Sequence, residues 1–251
     1  MRRFVLICLA LSSCLAFAAD APSLAQAASE RMLAERLAKT YAWRALEPNS
    51  REAQAQYEAA SKLFTQQLAT LRAASHGNAD LDENYALLEQ LWGDYKAQTA
   101  ATPTPEGAKA LADASEEVAW IAQKGSQMIE QRSNAGARTA RVAQDVATLS
   151  QRLAKIYLLE CYGTKRNFLK KDLIDARAEF DMLDAQLKAA SNTNSRKGLV
   201  ALMDSQWFFF QQAIDELAKN NAEPQLRRNV ITTSDHIAEV AAELATSYQR
   251  P

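Results

Sequence analysis

Apolar residues recur along this chain every three or four positions, which is the period of an amphipathic α-helix. Leu33, Leu37 and Tyr41 form one such apolar stripe, and the next stripe predicts that Leu63 and Phe64 point inward. Short segments rich in Pro, Gly, Asn and Ser interrupt the pattern at 47–50, 76–78, 102–105, 134–136, 163–164, 192–194 and 220–224. The pattern therefore predicts eight helices joined by short connections.

End signals place the start of three of these helices. Pro22 and Ser23 mark the start of the first helix, and Pro105 suits the first turn of the fourth. Asp80 and Glu83 have the spacing of a capping box. We therefore expect Asp80 to cap the third helix.

One helical segment occurs twice. Residues 31–41 recur as residues 147–157, and the two copies share Arg, Leu, Ala, Lys and Tyr at five matched places. The spacing is 116 positions, as from Arg36 to Arg152. Small residues beside the apolar stripe in both copies would let a neighbouring helix come close.

The register of the repeat continues beyond this segment. Phe64 corresponds to Phe180 at the same spacing, and a Ser followed by an acidic residue recurs at 115–116 and 234–235, now 119 positions apart. A register kept over this length indicates an internal duplication. We predict an all-α fold of two tandem antiparallel four-helix bundles, with a single larger eight-helix body as the alternative. The predicted parts are a signal peptide at 1–18, a first unit at 19–133 and a second unit at 134–251.

Composition agrees with a helical protein. Gly and Pro number only 7 and 6, while 48% of the 251 residues are hydrophobic, which is enough for one or two cores. The formal charge of −1 comes from mixed acidic and basic residues. Nucleic-acid binding needs a clustered basic surface, so we expect no nucleic-acid partner.

The first 18 residues have the pattern of a secretory signal peptide. A basic start at Arg2 and Arg3 is followed by an apolar segment and by small residues before Ala19, which predicts cleavage after Ala18 and a periplasmic location. The alternative is a lipoprotein signal that leaves Cys14 acylated. No later apolar segment has the ~18–20 residues of a membrane span, so we expect no spanning helix.

The chain offers little catalytic chemistry. Its two histidines, His76 and His236, are far apart in sequence and have no clustered ligands around them. A segment beginning at Asp80 resembles the start of a calcium loop but lacks the required Gly and Glu. We expect no enzyme, no metal and no cofactor. Cys161, the only cysteine outside the predicted leader, is either a reactive thiol or a partly buried small side chain.

The repeated segment carries unusual charges. Arg31 and Arg36 lie about 140° apart around their helix, so they cannot both lie on one exposed side. One of them borders an interface, where a guanidinium can bind an anion or form a salt bridge to an adjacent helix. Glu35 and Lys39 have the spacing of an ion pair on an exposed face.

The densest aromatic segment is 207–210, Trp-Phe-Phe-Phe. Four consecutive helical residues cover every face, so at least one ring can point away from the core. We treat Trp207 and Phe209 as a candidate interaction surface, with packing inside and between the bundles as the alternative.

The segments Arg31–Lys39, reading RMLAERLAK, and Leu149–Lys155, reading LSQRLAK, resemble a known signature. They are similar to the R-M-L-S-Q-R-(I/L/M)-A-K pattern of the PilJ-type domain. That domain is the extracytoplasmic N-terminal domain of type IV pili methyl-accepting chemotaxis transducers, and it is related to nitrate- and nitrite-sensing helical domains. The resemblance covers the chain after the leader as two tandem copies.

The resemblance implies an anion contact at Arg31, the first arginine of the pattern, near a helical or subunit interface. Arg36 is the second arginine, and the second copy keeps only Arg152, with Ala147 at the first position. The family's Ser is Ala34 here. Arg31, Arg36 and Arg152 are therefore the candidate ligand-binding residues.

Two functions follow as expectations. The first is an exported, non-enzymatic sensory or ligand-binding accessory protein that binds a small anion such as nitrate near Arg31. The second is a structural or protein-interaction module of the envelope with no small ligand. Expected partners are an envelope signalling or pilus protein, or a second copy in a homodimer. Family transducers continue into a membrane helix and a signalling region, so we expect that this chain does not signal across a membrane alone.

Overall fold

The computed structural model describes residues 23–131, 135–164, 169–219 and 221–249. These residues form eight α-helices and contain no strand, which confirms the all-α prediction. The helices are α1 Leu24–Leu46, α2 Arg51–Ser75, α3 Ala79–Ala100, α4 Pro105–Glu130, α5 Ala135–Cys161, α6 Leu169–Ala190, α7 Asn194–Ala218 and α8 Pro224–Gln249. None of the described helices is long and apolar enough to cross a membrane. The predicted signal peptide, Cys14 and the boundary at 133/134 lie outside the described residues.

Helix starts follow local capping. Ser23 caps α1 by accepting from the Gln26 N–H, and Pro105 opens α4, as predicted. The prediction that Asp80 caps α3 is wrong by two residues, because Asn78 accepts from the Leu81 N–H and α3 begins at Ala79. A short Asn side chain satisfies the first free N–H groups directly, so Asp80 lies within the first turn.

The helices contact one another in two groups. In the first half, α1 contacts α2 and α4, and α3 contacts the same two helices. In the second half, α5 contacts α6 and α8, and α7 contacts α8 but touches α6 only sparsely. The halves meet mainly where α1 packs along α5, so the two copies of the repeated segment face each other.

Matching aromatic pairs lie in the two halves. Phe64 stacks on Trp92 with ring centroids 4.2 Å apart, and Phe180 stacks on Trp207 at 4.0 Å. The duplication therefore extends into α3 and α7. The prediction that Leu63 points inward is wrong: its side chain is 41% exposed, because the buried stripe of α2 runs through Phe64, about 100° around the helix.

Candidate functional site

The contact between α1 and α5 contains buried charges. Glu35 and Lys39 are both essentially inaccessible to solvent, so the prediction of an ion pair between them on an exposed face is wrong. Each bonds a residue on another helix instead. The sequence could not reveal this, because the repeat reads as one amphipathic helix until its second copy is packed against it.

Lys39 binds a carboxylate from the other half. Its Nζ lies 2.6 Å from Oδ1 of Asp235 on α8, and Nη2 of Arg36 lies 3.4 Å from the same oxygen. Burial would raise the pKa of Asp235, but Lys39 and Arg36 outweigh it and hold that pKa below its ordinary value. Burial lowers the pKa of Lys39 to about 8, and the attraction of Asp235 offsets only part of that effect.

Lys155 makes the mirrored contact. Its Nζ lies 2.8 Å from Oε1 of Glu116 on α4, and Nη2 of Arg152 lies 3.1 Å from Oε2. Lys155 also lies 2.7 Å from Oε2 of Glu35 and donates to Oγ of Ser115 at 3.0 Å. Because Glu116 and Asp235 are the matched acidic residues of the repeat, Lys39–Asp235 and Lys155–Glu116 form two crossed ion pairs between the halves.

Arg31 also lies at the contact between α1 and α5. Its Nη1 is 3.3 Å from Oδ1 of Asp145 on α5, and Arg141 donates to the other oxygen of that carboxylate. Nε of Arg141 lies 2.6 Å from Oε2 of Glu130. The three candidate arginines, Arg31, Arg36 and Arg152, are thus on α1 and α5, and each faces a carboxylate within 3.4 Å. The salt-bridge alternative left open by the sequence is present at all three.

Glu30 is a buried carboxyl that sequence reasoning missed. Its side chain is fully buried, and neither carboxylate oxygen has a hydrogen-bond partner among the described residues. Burial raises its pKa well above the ordinary value. The nearby Tyr85 hydroxyl is also unpartnered. The sequence contains one indication that Glu30 is buried, because the matched residue of the second copy is the apolar Val146.

The two aromatic candidates differ in exposure: Trp207 is buried and Phe209 is exposed. Trp207 lies in the core, because its ring stacks on Phe180 and its Nε1 donates to Oδ1 of Asp181 at 2.8 Å. Phe209 is 50% exposed, and Phe208, which the sequence analysis did not single out, is 57% exposed. These two rings meet edge to face at 5.6 Å.

A cavity of about 520 Å³ opens in the second half, between the end of α5, the start of α6 and the end of α7. Its apolar wall includes Leu173, Ile174, Ile214 and Leu217. This size is in the range of small-molecule sites, about 300–1,000 Å³. No sequence motif predicts this cavity, because its lining comes from three helices that are separate in the sequence.

The charged rim of the cavity is mostly paired. Nη1 of Arg177 lies 2.7 Å from Oδ1 of Asp215, and Lys170 is exposed. Glu160 is half-buried, and no ion pair involves it among the described residues. Burial raises the pKa of Glu160, and the charge of Lys170 reduces that rise.

Cys161 also lines the cavity and is half-buried. Burial raises the pKa of its thiol to about 11, with Arg227 acting in the opposite direction. The thiol is therefore protonated at neutral pH, which makes it a poor nucleophile and favours the packing interpretation.

The histidines lie at the surface. His76 is beside Asp82, with Nδ1 3.1 Å from Oδ1, and His236 is beside Gln206. In the described part of the chain, no three His, Cys, Asp or Glu side chains are grouped so that they could hold a metal ion. Comparison of the chain with family models, curated proteins and solved structures finds no match.

Proposed function

We propose that this chain is a non-enzymatic binding module of the cell envelope that holds a small ligand in the cavity of its second half. The observation that carries the proposal is the cavity itself, which is of ligand size, has an apolar wall and carries at its rim a carboxylate, Glu160, that makes no ion pair with the described residues. The envelope location rests on the signal-peptide pattern of residues 1–18.

The architecture proposed with this function is two tandem antiparallel four-helix bundles. Short connections join consecutive helices, and the helices of each half contact their own neighbours. The crossed ion pairs would then fix the two bundles to each other through α1 and α5. In this account the repeated segment is conserved between the copies as an internal interface.

The arginines support a ligand site less well than the cavity does. Arg36 and Arg152 each contribute to a carboxylate that also binds a buried lysine. Nη1 of Arg31 lies 3.3 Å from Oδ1 of Asp145, and an anion there would compete with that carboxylate. The PilJ-type resemblance still motivates a sensory role, because the domains it points to are sensors.

A thermal-unfolding screen against small anions, amines, carboxylates and neutral compounds tests the proposal. A ligand at a hundred times its dissociation constant should add about 2.7 kcal/mol to the free energy of unfolding. We expect the shift to disappear in Ala218→Trp, which fills the cavity mouth, and to persist in Arg31→Ala. A shift lost only in Arg31→Ala would place the site at the arginines and overturn the proposal.

A protein-interaction module is the second candidate, favoured by the exposed rings of Phe208 and Phe209. Under this function, Phe209→Ala would abolish capture of a stoichiometric envelope partner or of a second copy. Leu87→Ala is the control, because Leu87 is similarly exposed, at 41%, on α3. Equal capture by both variants would contradict this candidate.

A further inference from the structure

In the first half, two residues matched to the cavity lining are in contact with each other, beside a smaller cavity of about 420 Å³ that Tyr57 also lines. The guanidinium of Arg44 lies over the rings of Tyr57, at 4.7 Å, and Tyr41, at 5.7 Å. It also donates to the carbonyl oxygen of Thr99. A protein cation is thus held against two aromatic rings, an attraction that grows when water is excluded.

In the second half the arginine and one of its two rings are replaced, while Tyr41 keeps its counterpart as Tyr157. At the spacing of 116, Arg44 corresponds to Glu160 and Tyr57 to Leu173. The stacked tryptophans set a spacing of 115 for α3 and α7, Trp92 to Trp207, which matches Thr99 with Ile214. Glu160, Leu173 and Ile214 all line the cavity. The cation of the first half has been replaced by a carboxylate facing open space.

The remaining charges of the cavity do not neutralise that carboxylate closely. Arg177 is paired with Asp215, and Lys170 is exposed, where water screens its charge. Glu160 makes no ion pair within the described ranges, although it is half-buried. A half-buried carboxylate beside an apolar wall is completed by a cation that brings its own apolar surface.

We infer that the cavity binds a small organic cation, an ammonium or guanidinium group carried on an apolar body, with the cationic group at Glu160 and the apolar body against Leu173 and Ile214. The inference rests on the proposed function, since it names the ligand class of the same cavity. The ligand takes the place that the Arg44 side chain occupies in the first half.

Three probes with one apolar body and different head groups test this inference: hexylammonium, 1-hexanol and hexanoate, titrated calorimetrically into the purified protein. We expect hexylammonium to bind about tenfold more tightly than 1-hexanol, and hexanoate to bind most weakly. The variant Glu160→Gln should remove the preference for the cation and leave 1-hexanol binding unchanged. Glu117→Gln is the matched control, because it removes one exposed carboxylate outside the cavity lining.

The outcomes separate the inference from the proposed function. Tighter binding of 1-hexanol or hexanoate than of hexylammonium would overturn the inference that the ligand is a cation. If that binding is lost in Ala218→Trp, the proposal that the cavity is the ligand site would still be supported. A cation preference that survives Glu160→Gln would overturn the role of Glu160. No binding of any probe at millimolar concentration would overturn the cavity as a ligand site.

Discussion

Two buried carboxyls on α1 differ only in what surrounds them. Glu30 has no hydrogen-bond partner in the part of the chain that the structure describes, whereas Glu35 lies 2.7 Å from Lys155. We predict that Glu30→Met raises the free energy of unfolding by about 1–3 kcal/mol, because it replaces an unpaired buried polar group by an apolar one. Glu35→Met should lower it by a similar amount, because it leaves Lys155 short of a partner. Urea unfolding of both variants measures the difference, and the same sign for both would contradict this reading.

The Glu30 effect should also depend on pH. Its pKa is raised in the folded state, so its contribution to the free energy of unfolding is highest in acid, where Glu30 is protonated in both states. This contribution falls as the pH rises from the ordinary carboxyl range towards the folded pKa. The advantage of Glu30→Met over the wild type should therefore grow with pH. An advantage that shrinks with rising pH would show that Glu30 is ionised and paired.

Lys39 gives a pH dependence of its own in the alkaline range. Its pKa is about 8 in the folded protein and about 10.4 in an unfolded chain, so the cost of burying its charge is present below pH 8 and is relieved as the pH rises between these values. The free energy of unfolding of the wild type should rise by about 3 kcal/mol relative to Lys39→Met over that interval. Chemical unfolding at several pH values checks this, and parallel curves would refute it.

Gly125 permits a close approach inside the first half. A Cβ there would lie 2.8 Å from the Tyr85 hydroxyl oxygen and 2.8 Å from Nδ2 of Asn84, whereas a Cβ at Gly93 would meet nothing within 4 Å. We predict that Gly125→Ala destabilises the protein by about 1–3 kcal/mol. Gly93→Ala, also within a helix, should stabilise it by about 0.5–1 kcal/mol. Two equal melting temperatures would contradict the close packing.

At the scale of the helices, the crossed ion pairs hold α1 and α5 to the last helix of the opposite half. Glu116 on α4 binds Lys155 and Arg152, while its neighbour Glu117 is exposed. We predict that Glu116→Gln lowers the free energy of unfolding by about 1–3 kcal/mol, the lower end reflecting its partial exposure. Glu117→Gln should change it by less than about 0.5 kcal/mol. Urea unfolding of the two variants makes the comparison, and similar losses for both would argue against the crossed pairs.

The elements were largely predictable from the sequence, because apolar period and capping are local properties. Ser23 and Pro105 opened helices as expected, and the predicted cap at Asp80 lies two residues after the observed cap, Asn78. The packing of α1 against α5 was not predictable, because the apolar period of α1 does not indicate which of its faces contacts a second helix. Lys39 therefore read as a surface charge, although it is buried against Asp235.

The candidate site depended even more on long-range contacts. Nothing in the sequence distinguishes Glu160 from other charged residues. Its position becomes informative only because its counterpart, Arg44, stacks on Tyr57 in the structure. The aromatic segment showed the same limit. A run of four rings predicts that one is exposed, but only packing against Phe180 decides that Trp207 is buried and Phe209 is not.

At the scale of the whole molecule, the two halves share one framework and differ at the position of Arg44 and Glu160. Both have a stacked aromatic pair and an Arg and a Lys on the motif helix that bind the opposite half. In the first half Arg44 is held by Tyr57 and Thr99, and in the second half its counterpart Glu160 lines the cavity of about 520 Å³. Duplication followed by loss of this arginine would give a stable scaffold in one half and a binding site in the other.

The most direct measurement of this asymmetry is the affinity of Glu160→Arg for hexylammonium, compared with the wild type. The substitution places in the second half the residue that occupies the matched position of the first. We predict that binding weakens at least about tenfold while the melting temperature stays within a few degrees of the wild type. Unchanged affinity in a folded Glu160→Arg variant would contradict the claim that the cavity is the vacated counterpart of the Arg44 position.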